Sequence, residues 1–163
     1  MKELEFEKLL FNTAICVMAC DGQIHESEVS ELELIAENTP YFRELDYKNE
    51  LNKIMKEIEK NTNVMKRYFN TLKEADLSPV QELLILEVVL RIMYSDNRID
   101  ENEVKFVKLI KSYLKMPDQI IFERFGKIEF LIKGYEKINQ QDFSDEFSDI
   151  EVVDIKDKKQ VKR

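Results

Sequence analysis

One segment of this chain occurs twice, and the repetition constrains the fold more than any other feature of the sequence. The first copy, AICVMACDGQIHESEVSELELI, begins at Ala14, and the second, VLRIMYSDNRIDENEVKFVKLI, begins 75 positions later at Val89. The following residues are identical in the two copies: Met18 and Met93, Asp21 and Asp96, Ile24 and Ile99, Glu26 and Glu101, Glu28 and Glu103, Val29 and Val104, Leu34 and Leu109, Ile35 and Ile110. Such a repeat is typical of two similar helix–loop–helix units, each with an acidic loop.

The composition favours helices and a core that needs no covalent cross-link. Three Gly and three Pro among 163 residues, with abundant Leu, Ile, Glu and Lys, are typical of a helical protein. Apolar residues make up 44% of the chain, which is enough for one domain with a core of its own. The periodicity predicts an all-α fold over residues 1–139: a single bundle of about seven or eight helices, built around the two pseudo-symmetric helix–loop–helix repeats.

Two helices are expected to carry most of the core. The helix from about Glu3 to Cys20 is expected to bury one stripe, which consists of Leu4, Leu9, Leu10, Ala14, Val17 and Met18. The sequence Ser78-Pro79-Val80-Gln81 predicts the start of the most hydrophobic helix, which is expected to be the central one. Within that helix, Glu87 and Arg91 are predicted to form a local ion pair, or Glu87 faces the loops or a partner.

Charge and hydropathy exclude several classes of function. A net charge of −8 disfavours nucleic-acid binding, which requires clustered Lys and Arg, and favours cations or basic surfaces as partners. The start of the chain lacks the features of a signal peptide, and the most apolar stretch, from Leu83 to Met93, is too short to span a bilayer. We therefore expect a cytoplasmic protein without direct membrane insertion.

Residues 140–163 differ in character from the rest of the chain and predict a charged, flexible C-terminal tail. Residues 142–154 include six acidic residues and no basic one, whereas the last eight residues are mostly Lys and Arg. The apolar residues of this tail also allow a short docking motif, either for this domain or for a partner: Phe143, Phe147, Ile150, Val152, Val153 and Ile155.

Both acidic loops have the pattern D-[GN]-x-I-x-E-x-E, which matches the second half of a calcium-binding helix–loop–helix. The first half is missing, because the two leading ligand positions are occupied by side chains without a carboxylate: Val17 and Ala19 in one copy, Ile92 and Tyr94 in the other. A complete EF-hand is therefore excluded. Calcium requires roughly 6–8 oxygens, so the two loops would have to approach each other or use water and backbone carbonyls.

The same acidic residues have a purely structural interpretation. Asp100 and Glu103 have the spacing of a capping box, and Glu28 occupies the same helix position in the first copy. Asp21 and Asp96 are placed to accept hydrogen bonds from loop amides. Gly22 and Asn97 predict a left-handed turn in each loop, after which Ile24 and Ile99 are expected to point into the core. Pattern and spacing alone leave helix capping and cation binding both open.

The stretches AICVMACDGQIHESEVSEL and LRIMYSDNRIDENEVKFV resemble the TerB family, named for tellurite resistance, and the related N-terminal domain of DjlA-type co-chaperones. The resemblance covers about Leu4 to Leu114. It implies a helical domain with quasi-symmetric halves whose acidic loops hold a divalent cation, calcium or another. The metal ligands that it implies are Asp21, Glu28, Asp96 and Glu103, with Glu26, Asp100 and Glu101 as weaker candidates. It also implies a part in chemical-stress responses and membrane-associated complexes, through a protein partner that the sequence does not identify.

No motif of an enzyme is present in the sequence: it has no Gly-rich phosphate loop, no G-x-S-x-G and no H-E-x-x-H. Cys16, Cys20 and His25 supply too few ligands for a zinc site, and the two cysteines are expected to be buried. We therefore expect a non-enzymatic, cation-binding scaffold or regulator in a stress response, without catalytic residues. The alternative is a metal-independent, co-chaperone-like interaction module whose acidic loops are only helix caps.

Overall fold

The chain folds into a bundle of helices, which a computed structural model describes for residues 1–95, 99–132 and 150–152. In these ranges the helices are α1 (Glu3–Ala19), α2 (Glu26–Asn38), α3 (Tyr47–Glu59), α4 (Val64–Glu74), α5 (Pro79–Ser95), α6 (Glu101–Tyr113), α7 (Asp118–Phe125) and α8 (Glu129–Ile132). A 3₁₀ turn (Pro40–Phe42) follows α2, and two short strands, β1 (Gln23–Ile24) and β2 (Glu151–Val152), complete the described elements. The predicted all-α fold of about seven or eight helices is confirmed.

The start of α5 follows the predicted capping box in both directions. The Gln81 N–H donates to Oγ of Ser78 at 3.2 Å, and the Ser78 N–H donates to Oε1 of Gln81 at 3.0 Å. Pro79 occupies the first helical position, where its missing N–H has no cost. These local interactions explain why the helix begins where the sequence predicts it.

The two repeats have matching secondary structure. A shift of 75 residues carries the bounds of α2 onto residues 101–113, which are the bounds of α6. The preceding helices, α1 and α5, have the same length and are displaced by one residue from that spacing. The helix–loop–helix units are thus repeated in the folded chain, while the symmetry of their packing stays a prediction.

The most enclosed helix is α1, and this corrects the expectation that α5 is the central one. Every side chain from Thr13 to Cys20 is buried, so the C-terminal half of α1 is covered on all sides rather than along one stripe. Leu4, which the predicted stripe included, is instead 51% exposed. Small residues such as Ala14 and Ala19 allow α4, α5 and β1 to approach α1 closely, whereas α5 exposes Arg91 and Tyr94 to solvent.

Two buried glutamates at equivalent positions of the repeats hold the chain that leaves each second helix. Oε1 of Glu7 accepts hydrogen bonds from the backbone N–H groups of Glu44, at 2.8 Å, and of Leu45, at 3.1 Å. Oε1 of Glu82, 75 residues later, accepts from the N–H groups of Lys115, at 3.1 Å, and Met116, at 2.9 Å. Both carboxylates are buried, so each replaces water as the acceptor for two backbone N–H groups of the segment that follows the helix.

The contacts of Glu87 differ from the predicted local ion pair with Arg91. The Glu87 carboxylate is paired with Arg124 of α7 and accepts a hydrogen bond from the hydroxyl of Tyr41. The guanidinium of Arg91 lies over the ring of Tyr41, 5.9 Å from its centroid. Glu87 therefore connects α5 to α7 and to the 3₁₀ turn, because partners from other elements reach it.

The C-terminal strand β2 pairs with β1 in parallel, with Gln23 opposite Glu151 and Ile24 opposite Val152. Ile150 is half-buried against the core, and β2 also contacts α3. The rest of the predicted tail, residues 140–149 and 153–163, lies outside the described residues, and so do the apolar positions Phe143, Phe147, Val153 and Ile155 of the predicted docking motif. The segment at residues 150–152 thus contacts this domain through Ile150 and the backbone of β2.

Within the described ranges, none of the helices has the length and apolar character required to cross a bilayer.

Candidate cation site between the acidic loops

The first acidic loop forms the tight turn that the sequence predicts. Gly22 has a φ of 90°, in the region that side-chain-bearing residues avoid, and its N–H donates to the carbonyl of Ala19 at 2.9 Å. Oδ1 of Asp21 accepts from the N–H of Gln23 at 2.9 Å, as Asp does in turns. The corresponding residues of the second loop, Asp96 and Asn97, lie outside the described residues.

The glutamates of both loops cap the helices that follow. The His25 N–H donates to Oε1 of Glu28 at 3.0 Å, and the Asp100 N–H donates to Oε1 of Glu103 at 2.9 Å. Oδ1 of Asp100 in turn accepts from the N–H of Asn102 at 2.6 Å. The predicted capping function is therefore confirmed for these residues. Capping does not exclude a second function, because a carboxylate has two oxygens.

The two acidic loops lie side by side and line one cavity of about 330 Å³. The cavity is bounded by the end of α1, the first loop with the start of α2, the end of α5, and the start of α6. The lining residues that belong to the loops and the helix starts are Asp21, His25, Ser27, Glu28, Glu31, Ile99, Asp100 and Glu103. The repeat thus brings two distant parts of the sequence together at one end of the bundle.

The charge of the cavity is strongly negative. Five of its lining residues are Asp or Glu, and in the described part of the chain no Lys or Arg lines it. This negative charge affects the ionisation of the Cys20 thiol, which is 4% exposed. Burial, followed by the negative charges of Glu103, Asp21, Asp100 and Glu28, raises the pKa of Cys20 far above its usual range. Carboxylates from both loops therefore act together on a single buried atom.

The structure separates the predicted site residues into three groups. Asp21, Glu28, Asp100 and Glu103 line the cavity, although Asp100 was only a weaker candidate. Glu26 and Glu101 lie in the first turns of α2 and α6 and do not line it. Asp96 falls in the undescribed gap at residues 96–98, so its predicted function stays a prediction.

The two loop isoleucines differ, although the sequence predicts the same position for both. Ile24 is 1% exposed and reaches the core as expected. Ile99 is 41% exposed at the mouth of the cavity, so its predicted burial was wrong. Ile24 belongs to β1, which pairs with β2, whereas the described part of the second loop pairs with no strand.

The donor atoms of the cavity suit a hard divalent cation, because carboxylate oxygens are the preferred ligands of calcium and magnesium. In the described residues, however, no three His, Cys, Asp or Glu side chains are close enough to hold one metal ion. The carboxylates share the cavity without forming a ready coordination sphere. A cation would therefore have to draw them together or recruit ligands from outside the described ranges.

Sequence reasoning missed several residues of this site. Glu31 lies three positions after Glu28, on the same face of α2, and this helical spacing predicts that both face the cavity. Cys20 and Ser95 immediately precede the two loop aspartates and line the cavity as well. The buried pair Glu7 and Glu82 was also missed, although a charged residue at the repeat spacing within two apolar helices is a recognisable pattern.

Two other concave surfaces occur in the described residues, and the second shares Glu31 and Ser95 with the cavity between the loops. One, of about 430 Å³, lies between α1, α3 and α4 and has lining residues of both charges, among them Lys8, Glu50 and Arg67. The other, of about 400 Å³, is an open groove along α5 and α7 that includes Tyr94 and Phe125. Neither concentrates charge of one sign as the cavity between the loops does.

Comparison with known proteins identifies one match. The sequence model of the family described as tellurite resistance protein TerB matches residues 9–123, which run from within α1 to within α7 and therefore include both acidic loops. No curated protein and no solved structure matches the chain.

Proposed function

This chain belongs to the TerB family, and we propose on that basis that it is a non-enzymatic module that binds a divalent cation between its two acidic loops. The observation that carries the proposal is the shared cavity, which places Asp21 and Glu28 of one repeat beside Asp100 and Glu103 of the other. Two separated loops would offer only half a coordination shell each. One cavity offers oxygens from both, and its donor set suits calcium, magnesium or manganese.

A bound cation would act mainly by removing repulsion. Like charges in a partly enclosed cavity repel each other more strongly than they do in water, because the protein around them lowers the effective dielectric constant. Neutralising them stabilises the arrangement in which both repeats contribute to one cavity. We propose that this fixes the relative position of α2 and α6, and that the protein scaffolds or regulates a stress response through this cation-dependent state.

The test removes charge from the cavity while it preserves the turns and caps. Asp21→Asn with Asp100→Asn replaces two carboxylates by amides, and an Asn side chain still accepts the same backbone hydrogen bonds. The matched control is Glu26→Gln with Glu101→Gln, because these residues lie in the first turns of α2 and α6, directly after the two loops, but do not line the cavity. Thermal unfolding is then followed for all three proteins in chelator and in calcium, magnesium or manganese.

The cation hypothesis predicts opposite effects under the two conditions. In chelator, the Asn variant should be slightly more stable than the wild type, because two repelling charges are gone. In cation at 100 times Kd, the wild type and the Gln control should gain about 2.7 kcal/mol, which is roughly 5–11 °C in Tm for a chain of this size. The Asn variant should gain little. Equal behaviour of all three proteins at several millimolar cation would refute the proposal.

The alternative function is a metal-independent interaction module. It is favoured by the capping contacts of both loops and by the lack of a ready three-ligand group in the described residues. The two functions predict different partners, so proteins captured from a lysate should be compared with and without chelator, using the Asn variant as the reference. Capture that chelator and the Asn substitutions leave unchanged supports the alternative. The proposed setting is the cytoplasm, with membrane association only through partners.

The proposed connection to stress has its own test. Growth in potassium tellurite is compared for cells that carry the wild-type chain, the Asn variant or the Gln control. Loss of protection in the Asn variant alone would show that resistance depends on the cavity carboxylates. Equal growth of all three would show that it does not.

A further inference from the structure

Charge is segregated between two parts of this acidic chain, and the first part is α2. Residues 9–42 carry six acidic residues and neither Lys nor Arg, and five of the six are the glutamates of α2. Leu34 is 51% exposed on this helix, with Glu31 and Glu37 one turn before and after it on the same side. The surface formed by Glu31, Leu34 and Glu37 is named the acidic face.

The exposure of Leu34 differs from that of its counterpart in the second repeat. Leu109 occupies the equivalent position and is fully buried. A single exposed apolar side chain is common on protein surfaces and means nothing by itself. Here the side chain is one that the other repeat covers, and carboxylates lie on both sides of it. The acidic face therefore has an apolar centre and a charged rim, which is the arrangement found in protein interfaces.

The second part is the surface of α3 and α4, which is basic. Residues 47–74 contain seven Lys or Arg and four Glu, one of which, Glu50, is buried. The basic residues are all exposed, and together they are named the basic face: Lys48, Lys53, Lys56, Lys60, Lys66, Arg67 and Lys73. Arg67 is paired with Glu57, whereas the six lysines form no ion pair within the described residues.

The cavity of about 430 Å³ between α1, α3 and α4 gives the basic face a concave centre. Three of its lining residues are at most 4% exposed and present a mainly apolar surface: Leu9, Val64 and Tyr68. Each of the three helices also contributes one basic side chain to the lining: Lys8, Lys53 and Arg67. An apolar side chain that carries carboxylates beside it would therefore find both apolar contact and opposite charge there.

The glutamates that line this cavity do not cancel its basic residues. Glu57 is already paired with Arg67, and Glu50 is only 8% exposed. The third glutamate is opposed by the two lysines of the lining, which have no ion pair in the described part of the chain. The lysines of the cavity and of the surrounding basic face are thus available to carboxylates from another molecule.

We propose that the acidic face of one copy of this chain docks on the basic face of a second copy, with Leu34 in the cavity between α1, α3 and α4. Both halves of this interface are present in the chain, their charges are opposite, and each has an apolar centre. Because the two faces are different surfaces, the contact is heterologous, and copies associate head to tail in an open chain or a closed ring. This inference does not depend on a cation between the acidic loops.

The dependence on salt follows from two opposing electrostatic effects. The net charge of −8 repels two copies over long distances, whereas the carboxylates and ammonium groups of the two faces attract at contact. At about 0.1 M salt the Debye length is about 10 Å, which screens the long-range repulsion more than the contacts. At about 1 M it is about 3 Å, so the attraction is weakened as well. Association should therefore be stronger at the lower of these two concentrations.

Two substitutions each disable one face of the full-length chain. Leu34→Lys places a cation at the centre of the acidic face, and Lys53→Glu places a carboxylate in the lining of the cavity. Both positions are exposed, so the fold should persist, which circular dichroism checks. The matched controls are Val80→Lys and Lys127→Glu, which make the same changes at exposed residues outside both faces.

Sedimentation velocity then measures the mass of each protein at concentrations up to about 0.5 mM. The mean mass of the wild type and of both controls should rise with concentration, and Kd should be roughly tenfold or more higher in each face variant. An equimolar mixture of the two face variants gives the sharpest result. Leu34→Lys retains a basic face and Lys53→Glu retains an acidic face, so the mixture should form dimers and nothing larger.

Several outcomes would overturn the proposal. A wild type that stays monomeric over the whole concentration range would show that the basic face serves an acidic partner other than this chain. Association that is equally strong in the face variants and the controls, or at about 1 M salt, would show that the two faces do not form the contact. Failure of the mixed variants to form dimers would exclude a head-to-tail arrangement.

Discussion

Replacement of Glu82 by alanine should destabilise the protein more than any exposed glutamate does. Glu82 is 5% exposed and accepts hydrogen bonds from two consecutive backbone amides, those of Lys115 and Met116, where the chain leaves α6. Alanine leaves these two N–H groups without an acceptor on the protein. The prediction tests whether the buried glutamates of the repeats hold the fold together, as the geometry indicates.

The expected loss follows from the contacts. A hydrogen bond to a charged acceptor contributes about 1.5–3 kcal/mol. Two such bonds set an upper limit of roughly 6 kcal/mol, but Lys115 is exposed, so water can reach its amide, and the cost of burying the carboxylate also disappears. We expect a net loss of about 2–3 kcal/mol in the free energy of unfolding, or roughly 4–12 °C in Tm.

The assay is urea unfolding followed by far-ultraviolet circular dichroism, with Glu59→Ala as the control. Glu59 is an exposed residue in the last turn of α3, and its replacement should change stability by less than about 0.5 kcal/mol. Glu82→Gln, which keeps one acceptor oxygen, should fall between the two. If Glu82→Ala and Glu59→Ala have equal urea midpoints and slopes, then the hydrogen bonds from the backbone after α6 to the buried Glu82 carboxylate do not stabilise the fold.

Two further predictions concern the first repeat. Burial, partly opposed by the Glu44 amide, raises the pKa of Glu7 above its usual 4.5, so its contribution to stability is fully present below about pH 4.5 and is lost as pH rises through the folded-state value. Glu7→Gln should therefore gain stability relative to the wild type as pH rises from about 4.5 to 7. If the Tm values of the two proteins change in parallel over this pH range, the prediction is contradicted. Gly22→Val should cost about 1–2 kcal/mol, because valine is strained at the φ of 90° found there. A neutral result in urea unfolding would show that the turn tolerates a side chain.

The bounds of the helices were predictable because local chemistry determines them. Ser78, Pro79 and Gln81 form their capping contacts within one turn, and Asp100 with Glu103 does the same at the start of α6. Such interactions involve neighbours in sequence, so residue types and their spacing are sufficient to predict them. The convergence of the two acidic loops was only a hypothesis, since it depends on how the repeats pack.

Burial was predicted less well, because it depends on what covers each surface. Leu34 and Leu109 are equivalent in the repeat, yet Leu34 is 51% exposed and Leu109 is buried. In the described residues α8 packs on α6, whereas α2 packs mainly on α5 and the 3₁₀ turn, so the two equivalent helices have different surroundings. The loops of Ile24 and Ile99 also differ in their surroundings, because β2 pairs with the first loop and the described part of the second loop pairs with no strand. A duplicated sequence therefore predicts equivalent helices more reliably than equivalent surroundings.

The sulfur of Cys20 has a chemical consequence beyond packing. Thiols are oxidised and alkylated mainly as thiolates, and burial, reinforced by the carboxylates nearby, keeps the proton on this one because it raises the pKa of Cys20. An oxidant that enters the cavity would therefore meet a poor nucleophile, and the native protein should be spared modification at this position. Because burial remains when the negative charge is cancelled, alkylation at Cys20 reports on the opening of this end of the bundle more than on its charge.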